Sequence, residues 1–273
     1  MIPTSRCVSE IQNRDGVRHQ ATRTVAEEVP VAFSFGGSTH AVMMASPGDI
    51  GDFAYGFCLT EGIIGDVDEI LSVDIVEAGG GYDVQIELVD DSADALRSRR
   101  RQMAGPVGCG LCGIESIEQA VRPVQRLPEL GLTLTPGQIA EAVRLLGDAQ
   151  VLNRETRAVH GAGFYVPGRG LTAIREDVGR HNALDKLVGA VCLSGGEGAV
   201  GAVVVTSRLS IEMVQKVAML GSPVLIAISA PTALAIRTAE GANITLVAVA
   251  RGDDFEIFTR PGRIVEGAMS DVA

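Results

Sequence analysis

The sequence predicts an α/β fold: a mostly parallel sheet flanked by helices, plus a smaller N-terminal α+β part with hairpins. Three observations carry this expectation. The 273 residues are 46% hydrophobic but only 4% aromatic and lack Trp, a composition that suits helices layered on a buried aliphatic sheet. Beyond about residue 170, short apolar runs alternate with amphipathic helical stretches, which implies right-handed crossovers between parallel strands. Before that point, two pairs of β-rich runs are separated by glycines, a hairpin signal. A chain of this length buries a full core without disulfides or metals.

The elements follow in order. Residues 1–25 are polar and patternless and are expected to form a flexible tail. "VPVAFSFGGSTHAVMMA" supplies the first hairpin, turning at Gly36, Gly37 and Ser38. In "SPGDIGDFAYGFCLTEGII", Ser46 can cap a helix, Pro47 fits its first position, Asp49 completes a capping box and Gly62 suits its exit, so a helix is predicted over 47–61. "EILSVDIVEAGGGYDVQIELVD" repeats the hairpin logic with Gly79 to Gly81 as the turn. "ESIEQAV" and "TPGQIAEAVRLLGDA" read as helices, the second capped by Thr135 with Pro136 after it.

From there "GLTAIRED" is extended and "GRHNALDKLVGAVCL" helical. "GAVVVTS", "PVLIAIS" and "ITLVAVA" are buried strands. Between them "SIEMVQKVAMLG" and "APTALAIRTAEG" are helices that stop at Gly221 and Gly241, and "DFEIFTRP" is a last extended piece. The organisation expected is a tail over 1–25, an N-terminal part over 26–130 ending in a cysteine loop, and an α/β part over 131–273.

A net charge of −11 argues against nucleic acid as a partner. No apolar run approaches the ~20 residues of a membrane span, and the first residues lack the apolar core of a signal peptide, so a cytosolic protein with no membrane contact is expected. The five cysteines are an odd number and a poor disulfide framework; Cys58 and Cys192 read as buried apolar residues, and Cys7 as incidental.

Three places could carry chemistry. Ligands of an open parallel sheet gather beyond the carboxyl ends of its strands. Thr206, Ser207, Arg208 and Ser210 follow one strand and Ser229 to Thr232 the next, a plausible anion site or simply a set of helix caps. In "IREDVGRHNALDK" the charged residues crowd around Gly179. Arg180 and His181 project from a first helical turn, where Arg pairs with phosphate and His titrates near neutral pH; the plainer reading is a salt-bridged helix start.

The strongest signal is "GPVGCGLCGIES", with Cys109 and Cys112 in a C-x-x-C among four glycines. A closed zinc site needs four ligands and only four scattered histidines are available. Deaminase zinc chemistry needs H-x-E or C-x-E, and no His or Cys here has Glu two residues on. A thioredoxin-like pair would open a helix directly after a strand. A glycine-rich loop suits a thiolate that must reach two partners, activated by Arg97, Arg99, Arg100 and Arg101 if they fold close to it. Two structural cysteines in a turn remain the bland alternative.

"CGLCG" at 109–113, "REDVGRHNALDK" at 175–186, "TSRLSIEMVQK" at 206–216, "SAPTALAI" at 229–236 and "FTRPGRI" at 258–264 together resemble the formate dehydrogenase accessory sulfurtransferases, the FdhD family. The resemblance runs over about residues 26–266. It implies a cytidine deaminase-like core without the deaminase zinc, and a cytosolic homodimeric sulfurtransferase. That activity accepts persulfide sulfur from a cysteine desulfurase and passes it to the molybdenum or tungsten bis-guanine-dinucleotide cofactor of formate dehydrogenase. It implies Cys109 as persulfide carrier and Cys112 as helper, with no resident metal. It also implies cofactor contacts from Phe258, Thr259, Arg260, Pro261, Gly262 and Arg263, beside Arg180, His181, Thr206, Ser207, Arg208 and Ser229, with GDP as a partial mimic of the ligand. The lead-in "AGPVG" is richer in Gly and Pro than the serine-bearing segment the resemblance would suggest. A second reading from a different class is a non-catalytic chaperone that binds the cofactor and uses the cysteines only to shape a lid.

Overall fold

A computed structural model describes residues 2–103, 124–129 and 131–266. The chain opens with a long antiparallel ribbon, β1 (Ser5–Arg14) and β2 (Val17–Ala26). Next come β3 (Val29–Phe35), β4 (Ser38–Ala45), helix α1 (Ile50–Thr60), β5 (Ile70–Ala78) and β6 (Gly81–Leu88). The four strands form a sheet in the order β4-β3-β6-β5, in which β3 and β6 run parallel and the other pairs antiparallel. Helix α2 (Asp90–Met103) leads away towards the cysteine segment.

After it, α3 (Pro136–Ala149) and the short α4 (Val151–Thr156) precede β7 (His160–Val166), β8 (Gly170–Asp177) and α5 (Arg180–Leu193). Then β9 (Ala202–Val205), α6 (Ile211–Leu220), β10 (Val224–Ala227), α7 (Ala233–Gly241), β11 (Thr245–Arg251) and β12 (Asp254–Ile257) complete the fold. Their six-stranded sheet has the order β12-β11-β10-β9-β7-β8.

Helices α1 and α5 fill the space between the two sheets. Phe33 of β3 stacks on Phe57 of α1 at 4.2 Å and meets Phe53 edge-on, while Leu184, Leu187 and Val188 of α5 belong to the same buried cluster. That cluster runs without a break from the four-stranded sheet to Val203, Leu225 and Leu246 of the six-stranded one. The other face of the larger sheet is covered by Ile139, Ala142 and Leu146 of α3, which pack on Tyr165, Val204 and Ile226.

Two glycines set the α1–α5 spacing. A Cβ on Gly56 would lie 1.7 Å from the carbonyl oxygen of Asp185, and one on Gly189 1.9 Å from that of Asp52. The two backbones therefore touch, which leaves no room for a side chain at either crossing point.

Several expectations need correction. The larger sheet is mixed: β9, β10 and β11 are parallel, but β7, β8 and β12 join antiparallel. The missed strand is β7, whose sequence "HGAGFYV" carries two glycines and so lacks a strong strand signal. Residues 1–25 are not a loose tail, since Asp15 and Gly16, both at positive φ (52° and 79°), turn the ribbon in the manner of a primed hairpin turn. Helix α1 begins at Ile50, after Asp49 in the left-handed region, and Ser46 does not cap it. Thr135 does cap α3 through a full capping box with Gln138. The helix expected at "ESIEQAV" lies outside the described residues.

Candidate functional site

The charged run 175–186 separates, once folded, into two groups. Arg175 pairs with Asp52 at 2.6 Å, and Glu176 accepts from the backbone N–H groups of Leu152 and Asn153 at 2.8 and 2.9 Å, closing the start of α4. Asp177 is fully buried and accepts four hydrogen bonds, from the N–H groups of Gly179 and Ser46, from Asn182 Nδ2 and from Lys186 Nζ at 2.6 Å. Lys186 also donates to the Ser46 carbonyl at 2.8 Å, and Val178 N–H donates to the Ser46 hydroxyl. This is where Ser46 is used instead of at the helix cap.

Beside Lys186 in α5, Asp185 accepts from the Thr60 hydroxyl at 2.6 Å and pairs with Lys216 of α6 at 2.8 Å. Lys216 also reaches Glu61 at 2.9 Å. Burial alone would discharge Lys216, but Asp185 and Glu61 outweigh it and raise its pKa. Five of the eight charged or amide residues in the run thus join the two halves of the molecule, and Glu176 ties β8 to α4.

The remaining two do not. Arg180 Nε and His181 Nε2 are buried atoms without a hydrogen-bond partner among the described residues. Both sit in the first turn of α5, whose unsatisfied N–H groups favour an anion. Glu212, in the first turn of α6, approaches His181 Nε2 at 4.0 Å, and His160 opens β7 opposite Asp177. Burial, then Arg180 and Lys216, push His181 down to about 4, so its imidazole is neutral at pH 7. His160 is lowered by burial and by Arg180 as well. Burial opposes ionisation of Glu212, yet Ser210, its own backbone N–H, His181 and Arg180 overcome it and hold its carboxyl below the ordinary range.

The loops after β9 and β10 border this cluster. Thr206 accepts from Gly161 N–H at 3.0 Å, Ser207 is buried with its hydroxyl on the Arg208 carbonyl, and Arg208 is exposed. A bridge between Leu209 and Pro231 stitches the two loops together. Ser229 accepts through its carbonyl from the N–H of Val249, a β-branched residue held at φ 54° where β11 bulges. Such a conformation is costly and tends to occur where function requires it. The cap of α7 is Thr232, which bonds Ala235 N–H at 3.1 Å, and not Ser229.

Phe258 to Arg263 lie elsewhere. Thr259 is buried, its hydroxyl donating to the Ile244 carbonyl and accepting from Leu246 N–H. Arg260 pairs with Glu240 at 3.0 Å and Arg263 donates to the Thr245 hydroxyl at 3.2 Å. Pro261 and Gly262 are exposed in the short 3-10 turn Pro261–Arg263, and Phe258 packs against the edge of the core. These contacts are to the end of α7 and the start of β11, whereas Thr206, Ser229, Arg180 and His181 stand at the finish of β9 and β10. Since β9, β10 and β11 are parallel, the two groups occupy opposite ends of one sheet, at least about 10 Å apart at ~3.3 Å per residue. Arg260 Nε and Arg263 Nη2 are also buried without a hydrogen-bond partner among the described residues, so this end too can receive an acceptor.

Cys109 and Cys112 lie outside the described residues, as does the rest of their loop. Arg97, Arg99, Arg100 and Arg101 fall on α2, the element that enters it. Among the described residues, no three His, Cys, Asp or Glu side chains are grouped to hold a metal, and no helix is long and apolar enough to cross a membrane.

The sequence model described as the FdhD/NarQ family matches residues 26–265. The chain belongs to the FdhD/NarQ family. Its relatives in that family include the sulfur carrier protein FdhD of Agrobacterium fabrum, 66% identical over 260 residues that cover 95% of this chain and 96% of the other. The protein of the same name from Brucella abortus is 57% identical and covers 96% and 97%. A crystal structure assigned as a formate dehydrogenase accessory protein from Desulfotalea psychrophila superposes with a TM-score of 0.77 at 27% identity, covering 96% of this chain and 100% of that one.

For an FdhD/NarQ member, sequence reasoning found Arg180, His181 and the strand-end residues but missed His160 and Glu212. The signal for Glu212 was available, because an acid in the first turn of the helix after an anion-site strand opposes the expected charge. His160 had none, since it belongs to the strand that went unrecognised.

Proposed function

We propose that this chain is a sulfurtransferase of the cytoplasm: it takes sulfur from a cysteine desulfurase as a persulfide on Cys109 and delivers it to the molybdenum or tungsten bis(molybdopterin guanine dinucleotide) cofactor of formate dehydrogenase. The supporting observation is its identity of 66% to a protein named as a sulfur carrier, in a chain whose C-x-x-C is embedded in glycines. The chemistry balances. The Cys109 thiolate attacks the outer sulfur of the donor persulfide, the donor cysteine leaves as thiolate, and Cys109 becomes the persulfide. Attack of Cys112 on the Cys109 Sγ would then release hydrosulfide to the acceptor and leave a disulfide, which a dithiol reductant resets.

The acceptor is a substrate here, and the described residues fit an anionic, nucleotide-bearing one. Arg180, with its free Nε and the N-terminus of α5 beside it, is suited to a phosphate, and the neutral His181 to a hydrogen bond without added charge. Thr206, Ser207, Arg208 and Ser229 would complete that end. Arg260 and Arg263, with Phe258, Thr259, Pro261 and Gly262, would serve a different part of the ligand or a different copy of it, because one phosphate does not reach both ends of the sheet.

The test is mass spectrometry of the chain after incubation with a desulfurase and cysteine. The parent gains one sulfur on the 109–112 peptide, Cys112→Ser still gains it, and Cys109→Ser does not. A Cys109→Ser/Cys112→Ser variant that still restores active formate dehydrogenase in a deletion strain would replace this reading with a non-catalytic chaperone.

A further inference from the structure

The ribbon β1–β2 is the part of the molecule least explained by its own fold. It is about 34 Å long at ~3.4 Å per residue, and it stands before residue 26, where the family match begins. Among the described residues its base is what holds it: Arg23 donates to the Thr156 carbonyl, Arg6 pairs with Glu27, and Glu27 N–H bonds the Thr4 carbonyl. Residues 13–20 at its tip are all exposed. A two-stranded ribbon open to water on both faces is marginally stable at best, so this one calls for a cover.

Its charge indicates what covers it. Residues 5–26 carry four arginines against Glu10 and Asp15, a net +2, which leaves −13 on the rest of a chain whose total is −11. The register puts Arg6, Arg14 and Arg23 on one face with Val8, Val17 and Val25. Its exposed tip is open to contact with another molecule.

A surface of matching character exists on the same chain. The face of the four-stranded sheet turned away from α1 presents Val42 and Met44, 58% and 50% exposed, and Val76, 44% exposed. Beside them on that face are Asp74, Asp83 and Glu87. Val42 and Met44 at one edge and Val76 at the other, with Asp83 and Glu87 of β6 between them, complement valines interspersed with arginines.

We infer that the ribbon of one chain docks on the outer face of the four-stranded sheet of a second copy, so that the homodimer is held by exchanged arms. The inference rests on the homodimer that the family resemblance implies, and sulfur loading of Cys109 is read separately.

Sedimentation equilibrium tests it. The full chain should dimerise reversibly. A chain with residues 10–21 replaced by Asn-Gly should be monomeric with unchanged circular dichroism. Arg14→Glu and Asp74→Lys should each weaken the dimer at least about tenfold, and the two together should restore most of it. The inference fails if the parent is monomeric, if the shortened chain dimerises as tightly, or if the paired reversals do not rescue. Retention of duplex DNA that is lost on shortening, with no change in oligomeric state, would assign the ribbon to nucleic acid instead.

Discussion

Helix α5 carries two kinds of polar residue within seven positions, and they face different worlds. Asn182, Asp185 and Lys186 point into the α1–α5 junction, where each finds a partner within about 3 Å. Arg180 and His181 open the helix, with buried nitrogens that no described group satisfies. Hydrogen bonding therefore separates structural from ligand-facing residues here, where residue type does not.

The inner group should dominate stability. Lys186→Met leaves the buried Asp177 without its cation, and removing one partner of a buried pair costs about 3–5 kcal/mol. Denaturant titration should show that loss as a lowered midpoint. Lys216→Met should behave alike through Asp185 and Glu61. If Lys186→Met costs no more than a surface change, the junction is not what holds the sheets together.

A smaller effect is expected from Gly56→Ala. The added methyl meets the Asp185 backbone, which has no rotamer to yield, so α1 and α5 must separate at a cost of about 1–3 kcal/mol. The same titration reads it, and the binding properties of Arg180 should be unchanged.

Arg180→Gln should reverse this pattern. With few described contacts to lose, it should alter stability little. Loss of a charged hydrogen bond to a phosphate, at roughly 1.5–3 kcal/mol, should weaken GDP about 10–100-fold by calorimetry. Arg260→Gln gives the matching measurement at the opposite end of the sheet. Equal losses would mean that both ends hold nucleotide; loss only at Arg180 would restrict the site to the strand finishes.

The legibility of these regions in the sequence follows from how local each cause is. Thr135 and Gln138 cap α3 within four residues, and the apolar β9, β10 and β11 announce themselves by composition. The Asp15-Gly16 turn was legible too, but the polar strands on either side masked it because they have no core to face. The roles of Asp177 and Lys186 were not legible, since they depend on Ser46, some 130 positions away. A charged run looks the same in sequence whether its partners are distant residues or a ligand.

The smallest effect concerns His181, and its sign distinguishes a structural histidine from a ligand-facing one. Its folded pKa is about 4 against an ordinary 6.5, so the unfolded chain binds a proton that the folded site refuses. Between pH 6.5 and 4 the stability of the free protein should fall as pH falls, and His181→Gln should flatten that slope. Above pH 6.5 the two proteins should run parallel. A bound phosphate would favour the imidazolium and raise that pKa, so GDP binding near pH 5.5 should take up a proton and tighten as pH drops. Calorimetry in buffers of different ionisation enthalpy measures that uptake directly. An uptake that vanishes in His181→Gln places the imidazole against the ligand; one that persists moves the titrating group to His160, whose pKa burial and Arg180 also lower.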